Sequence, residues 1–367
     1  MIEPTRFIKE LERNEINFFV EVPCSILKPL INAMMDQGKK VITPANEAVV
    51  MGIASGYYMA TGKIPFVMMQ NSGFLNTLNA LTSLNQLYKI PVLYGITWRG
   101  ETKEAPEHDI TGEKTEDFLK TFDLPYRIVT EKSYADDIKW AVDKIKETDK
   151  PAALLIRKGL FNDYSIEVKQ NNYTLTKENV IGTVVDIVGK NSLYVSTNGY
   201  PSRQLFSILK ERRLENEIKP FYMIGSMGHA LPISHGIALS NTDRKVIVFD
   251  GDGGALMHMG AMCSVKDTTN LIHIILDNEA HASTGGQPTV SSSVDFARVA
   301  EGCGYAWTRT IKDKNELVET VESALKERGP VLLHVKLSNK PEKVKERVSD
   351  KYNCEEVKEN FMKIFEK

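Results

Sequence analysis

The chain has 367 residues, 42% of them hydrophobic and 26% charged, with a formal net charge of −2. That length suggests about two domains, and the near-neutral charge supplies no basic field for nucleic acid or anionic membranes. No stretch reaches the roughly 18 uninterrupted apolar residues of a membrane-spanning helix, and the start, MIEPTRFIKELERNE, is charged and amphipathic rather than signal-like. A soluble cytoplasmic protein is expected. Cys24, Cys263, Cys303 and Cys354 are scattered and fit neither a disulfide framework nor zinc-ligand spacing.

Short β-branched runs alternate with helix-length amphipathic segments along the whole chain. In the first half strands are expected at Asn17–Val22, Lys40–Thr43, Ile64–Met69, Pro91–Thr97 and Ala152–Arg157. Helical patterns run over Ala48–Met59 and Tyr134–Glu147. The polar stretch Lys158–Lys177 reads as a linker. The second half repeats the alternation, with strands at Ser192–Ser196, Lys245–Asp250, Leu271–Asp277 and Pro330–Val335 and a helix over Lys314–Glu327. Continuous apolar strands separated by helices predict two α/β domains, each a mostly parallel sheet flanked by helices. The expected division is 1–160, a linker at 161–178, and 179–367, with the charged tail Glu342–Lys367 forming a terminal helix.

The most specific feature is VIVFDGDGGALMHMGAMCSVKDTTNLIHIILDNEAHASTGGQ. A strand ends at Asp250 and runs into Gly251-Asp252-Gly253-Gly254; a second strand ends at Asp277-Asn278, placing Asn278 26 positions after Asp252. In a βαβ unit both side chains reach the same carboxyl edge of the sheet, where open α/β folds bind ligands. A carboxylate and an amide oxygen are hard ligands suited to Mg²⁺ whose other positions are taken by phosphate oxygens and water. Glycines let a backbone approach a diphosphate. Alone, GDGG is also compatible with a tight turn and a capping aspartate.

This segment resembles the diphosphate-binding motif of thiamine-diphosphate enzymes. The resemblance implies that Asp252 and Asn278 ligate Mg²⁺, with Ala280 adding a backbone carbonyl, and that Gly251, Gly253 and Gly254 line the cofactor's diphosphate. Such enzymes need one more carboxylate, to hydrogen-bond the cofactor's aminopyrimidine. In TPANEAVVMGIASGYYMATGK, Glu47 opens a helix of small residues and resembles that group. On the same basis the domains are a pyrimidine-binding domain followed by a diphosphate- and Mg-binding domain, and at least a homodimer is implied, with sites at the subunit interface.

Further segments, among them FVEVPCSILKPLI, MMQNSGFLNTLNALTSL, ITWRGETKEAPEH, FYMIGSMGHA and AHASTGGQPT, resemble the group of phosphonopyruvate and sulfopyruvate decarboxylases. ANEA, WRGE, GSMGHA and LMHMG favour the phosphonopyruvate side; NALTSL and LDN lean the other way. The implied activity is non-oxidative decarboxylation of 3-phosphonopyruvate to phosphonoacetaldehyde in phosphonate biosynthesis, with sulfopyruvate the alternative substrate. A carboligase of the acetolactate synthase type and a non-catalytic homologue are the readings from other classes. Leu75 and Asn198 depart from the group's pattern, in QNSG and STNG.

The implied substrate is a small anionic 2-oxo acid, so cations and neutral donors are expected around it. Ser25, Lys28 and Arg99 are the candidates. Gln70, Asn71 and Ser72, at a strand end, are candidate cofactor contacts, as are Gly225 and Met227 in GSMG, where the methionine resembles the residue that props the cofactor. His108 and His281 are candidate proton carriers, since an imidazole titrates near neutrality. His258 and His273, within an apolar helix and strand, read as structural.

Overall fold

The computed structural model describes residues 1–343 and 345–366 and divides the chain into two compact units, Met1–Val168 and Lys169–Lys367. In the first unit the strands are β1 (Phe19–Glu21), β2 (Val41–Ile42), β3 (Phe66–Gln70), β4 (Leu93–Trp98), β5 (Tyr126–Ile128) and β6 (Ala152–Arg157). They form one parallel sheet in the order β2-β1-β3-β4-β6-β5. Every residue of β4 is buried, because helices cover both faces of the sheet. Two apolar cores result. One holds Phe7, Phe19, Phe66 and Ile138; the other holds Val50, Phe74, Tyr94 and Leu155.

The second unit contains β7 (Leu193–Ser196), β8 (Phe221–Tyr222), β9 (Val246–Gly251), β10 (Leu271–Asp277), the antiparallel pair β11 (Ala280–His281) and β12 (Gln287–Pro288), then β13 (Trp307–Ile311) and β14 (Val331–Lys336). Its main sheet runs β13-β14-β10-β9-β7-β8, again all parallel. Counted from its own first strand, this is the connectivity of the first unit. In each unit the chain steps from the first strand to one side, then returns to pair on the other. The reversal falls between β1 and β3 in one and between β7 and β9 in the other. A crevice opens at the carboxyl ends of strands where the order reverses, and ligands settle there.

The expected strands are all present; β5, β8 and β13 join them in the two main sheets, and β11 and β12 form a separate pair. β5 and β8 are short, and β5 and β13 mix half-buried and exposed positions instead of forming an apolar run. The single helix expected over Glu342–Lys367 is not formed. Among the described residues of the tail the α-helix covers only Cys354–Met362, between single turns at Val348–Asp350 and Lys363–Phe365. Asn353 starts it by accepting from the Glu356 backbone N–H while Glu356 accepts from that of Asn353, a reciprocal cap that defines the first turn. Val344 and Lys367, which that expectation included, lie outside the described residues. Among the described residues no helix is long and apolar enough to cross a membrane.

Candidate active site

In the first unit the Glu47 site is built from β2 and the helix that follows it. Asn46 accepts the Ala48 backbone N–H at 2.7 Å and starts the helix Glu47–Thr61, so the glutamate occupies the first helical position by a capping rule. Its carboxylate is buried, accepts from Asn76 Nδ2 at 2.9 Å, and presses against Gly73. A Cβ on Gly73 would stand 2.3 Å from Glu47 Oε1, so only glycine permits this approach. Neither Gly73 nor Asn76 was singled out in the sequence; their place in the segment after β3 was the available signal.

Gln70 ends β3, and its Nε2 lies 3.3 Å from His108 Nδ1. An amide N–H can only donate, so Nδ1 accepts and the neutral ring carries its proton on Nε2. His108 closes the turn Pro106–His108 and is buried rather than on an open loop. Asn71 is committed to the scaffold: it donates to Arg99 O at 2.8 Å and Thr115 Oγ1 at 2.9 Å and accepts from the Arg99 N–H. Ser72 is half-buried beside it, as is Leu75.

Arg99 and Ser25 come together, with Arg99 Nη1 donating to Ser25 Oγ at 2.8 Å. Glu104, not singled out in the sequence, accepts from Arg99 Nε at 2.8 Å and also pairs with Lys158 at 3.4 Å. Partial burial opposes the Glu104 charge, but the Arg99 hydrogen bond and the Gly100 N–H hold its carboxyl below the usual range. Lys28 begins the helix Lys28–Asp36 and is half-buried. The loop carrying Arg99 is fixed by two touching glycines. Gly100 has φ +74°, a left-handed conformation, and a Cβ there would meet His108 O at 2.1 Å; one on Gly112 would meet the Gly100 backbone at 2.2 Å.

In the second unit a cleft at the β7/β9 reversal is lined by Lys177, Asn198, Tyr200, Met227, Asp252 and Asn278, together with Gly251, Gly253, Gly254, Ala280 and His281. Met227 and Gly225 share the turn after β8, in which Ser226 takes a left-handed φ of +54°. Gly253 has room for no side chain: a Cβ would lie 3.0 Å from Met227 Cε and 3.1 Å from His281 Cε1. A Cβ on Gly254 would lie 2.6 Å from Asp250 Oδ1.

Asp252 and Asp277 are both buried and joined through Ser291, whose Oγ is 3.1 Å from Asp252 Oδ2 and 2.7 Å from Asp277 Oδ1. Thr289 Oγ1 adds a 2.5 Å donation to Asp252. Asp277 also accepts from His334 Nε2 and Lys336 Nζ, each at 2.8 Å. Burial alone would raise Asp277, but the bonds from His334, Lys336 and Ser291 outweigh it and hold the carboxyl at about 2. Asp252 pairs with no cation among the described residues. Burial first, and then the charge of Asp277, push it up to about 7. A buried carboxylate short of a positive partner, beside an amide, a carbonyl-bearing turn and an open glycine edge, fits a hard divalent cation and a diphosphate.

His281, on β11, is pushed down to about 4 by burial and is therefore neutral near pH 7. His273 is buried between Asp250 and the Tyr305 hydroxyl, as a structural residue would be. His258 lies past the end of the helix Asp252–Met257, half-buried, with its ring 4.7 Å from that of His229 and against Gly228. It is not inside an apolar helix, because that helix stops after six residues. Thr289, Ser291, His334 and Lys336 went unnoticed in the sequence. The two polar residues within the apolar strand VLLHVK were the one local signal.

Two doubly covered parallel sheets of equal connectivity, one with a buried helix-starting glutamate and the other with an aspartate and asparagine at a glycine-lined crevice, define a class. Residues 5–119 match the family signature described as "Thiamine pyrophosphate enzyme, N-terminal TPP binding domain", and residues 198–335 match "Thiamine pyrophosphate enzyme, C-terminal TPP binding domain". The chain belongs to the thiamine pyrophosphate enzymes, in the branch of thiamine-diphosphate-dependent decarboxylases. It is 32% identical to the phosphonopyruvate decarboxylase of Streptomyces hygroscopicus over 86% of this chain and 82% of that one. The Streptomyces viridochromogenes phosphonopyruvate decarboxylase gives the same identity over 83% of its length. The sulfopyruvate decarboxylase of Methanosarcina acetivorans is 28% identical over 90% of both chains.

Proposed function

We propose that this protein decarboxylates 3-phosphonopyruvate to phosphonoacetaldehyde and CO₂, as a homo-oligomer in the cytoplasm. The observation that carries the choice of substrate is the 32% identity to two phosphonopyruvate decarboxylases across most of both chains. The Arg99–Ser25 pair supports it as a cation and a hydroxyl set side by side for an anion. Arg99 can turn from Glu104 to a phosphonate because Lys158 stays behind to neutralise the glutamate.

In this reading Asp252, Asn278 and the Ala280 carbonyl would hold Mg²⁺, and Gly251, Gly253 and Gly254 would line the diphosphate. Thiamine diphosphate, when bound, supplies a nucleophilic carbon and the electron sink for loss of CO₂. The protein's own groups orient, shield and move protons. Glu47, held by Asn76 and Gly73, offers its carboxylate to a ring nitrogen of the cofactor. Gln70 orients the His108 ring, and His281, uncharged near pH 7, would offer hydrogen bonds rather than a charge to the bound substrate. Thr289 and Ser291 keep the Asp252 carboxylate oriented.

Assembly into a homo-oligomer, with each site drawing on two subunits, is supported by the outer face of the Glu47–Thr61 helix. Val49 and Met59 are exposed there, and Gly52 and Gly56 have nothing within 4 Å of a Cβ position, which leaves a smooth apolar surface.

The test is CO₂ release by the purified protein with thiamine diphosphate and Mg²⁺, from phosphonopyruvate, sulfopyruvate and pyruvate in parallel. Preference for phosphonopyruvate, abolished in Glu47→Gln, supports the proposal. Preference for sulfopyruvate keeps the mechanism and changes the substrate. Tight cofactor binding with no release from any of the three overturns it.

A further inference from the structure

The fold joins two thiols that the sequence keeps 40 positions apart: Cys263 Sγ and Cys303 Sγ lie 3.1 Å from one another. Cys263 sits in the short helical run Met259–Val265, and Cys303 ends the helix Phe296–Gly302. The two segments are in close contact beyond the sulfurs as well. A Cβ on Gly304 would lie 3.2 Å from Lys266 Cβ, and Gly304 takes a left-handed φ of +88° to allow it. Cys263 is exposed and Cys303 half-buried. Closing the gap to a bond of about 2.05 Å needs a movement of only about 1 Å.

We propose that Cys263 and Cys303 form a thiol–disulfide exchange site for low-molecular-weight disulfides, ending in an intrachain Cys263–Cys303 bond. The exposed Cys263 thiolate attacks one sulfur of the small disulfide; that S–S bond breaks, one small thiolate leaves and takes up a proton, and a mixed disulfide remains on Cys263. Cys303, having given its proton to solvent, attacks the Cys263 sulfur and expels the second small thiolate, which is protonated in turn. The two cysteines lose two electrons and the small disulfide is reduced to two thiols. The order follows from access and acidity. Partial burial, then the hydrogen bond with Cys263, push the Cys303 thiol up to about 11, so Cys263 meets the oxidant first. The ring so closed contains Asn278, Ala280, Thr289 and Ser291, and therefore constrains the segment that surrounds Asp252.

The experiment equilibrates the full-length protein with reduced and oxidised glutathione at graded ratios, quenches in acid, blocks remaining thiols with N-ethylmaleimide, and maps peptides by mass spectrometry. Expected is a crosslinked peptide pair containing Cys263 and Cys303, reversed by dithiothreitol, with a higher Tm for the oxidised protein. Cys303→Ser should leave a lasting glutathione adduct on Cys263, and Cys263→Ser should leave Cys303 unmodified. Circular dichroism checks the fold of both variants, and Cys303→Ala repeats the test if the serine variant is unstable. Adduct on wild-type Cys263 that accumulates as it does on the exposed Cys354, without a crosslink at any ratio, overturns the proposal. Because the readout is mass, it does not depend on which oxo acid the enzyme decarboxylates.

Discussion

The two units share one connectivity, yet the residues at matching points serve different ends. In each, the third strand counted from its start leads directly into a six-residue helix: Asn71–Asn76 after β3 and Asp252–Met257 after β9. The first residue of the former is an amide satisfied by Arg99 and Thr115; that of the latter is a carboxylate crowded by Asp277 and supported by two hydroxyls and the Gly253 N–H, with no cation beside it among the described residues. The difference lies in where an unmet electrostatic demand is left. Asn71 is a closed account of donors and acceptors and so holds structure, whereas Asp252 remains short of positive charge and so is suited to binding. The first unit holds buried carboxylates of its own, Glu47 bonded to the Asn76 amide and Glu21 bonded to Thr43.

Four measurements test that contrast, taken from the largest expected effect to the smallest. Glu47→Gln should lower kcat by roughly 10²–10⁴-fold with little change in cofactor affinity; a loss confined to affinity would make Glu47 a binding group only. Asp252→Asn should weaken Mg²⁺ binding, measured calorimetrically in the presence of cofactor, by about 10²-fold, the upper end of what even outer partners of a metal site cost. An unchanged Mg²⁺ affinity would break the comparison. Asn71→Ala should instead cost about 1–3 kcal/mol in urea unfolding, because it strands buried partners, while leaving Mg²⁺ affinity unaltered.

The smallest effect concerns Glu21, buried at the end of β1 with one oxygen bonded to Thr43 at 2.5 Å and the other unpartnered. Burial raises its carboxyl to about 8, against about 4.3 in an unfolded chain. A raised acid favours the fold below the unfolded value and loses that advantage as pH rises through the folded one. Between about pH 4.3 and 8 the wild type should therefore lose thermal stability relative to Glu21→Gln. Parallel Tm profiles over that window would refute the assignment.

What could be read from the sequence follows the physics of each part. Interior strands such as LIHIILD are buried on both faces and announce themselves as apolar runs; β5 and β8 are short, β13 mixes buried and exposed positions, and none of the three does. The positions of Asp252 and Asn278, just past the ends of β9 and β10, and of Glu47, just past the cap Asn46, could be read from the sequence because strand ends, glycines and caps carry a pattern. Thr289 and Ser291 were not, since a hydroxyl in a loop carries no pattern until the fold sets it beside a carboxylate. The same holds for Cys263 and Cys303, whose 40-residue separation resembles no motif. The charged tail suggests one helix over Glu342–Lys367, whereas the α-helix starts only at Cys354, where Asn353 caps it.

The backbone contact between Gly100 and Gly112 has a bearing on how such enzymes diversify. The two residues fasten both ends of the stretch that carries Glu101, Glu104 and His108, and neither position tolerates a side chain. Between those fixed ends, residues 101–105 lie outside both β4 and the helix Asp109–Thr121. Because the stretch carries Glu104, which holds Arg99, and His108, which meets Gln70, exchanging it would reset the candidate anion receptor and the His108 contact together.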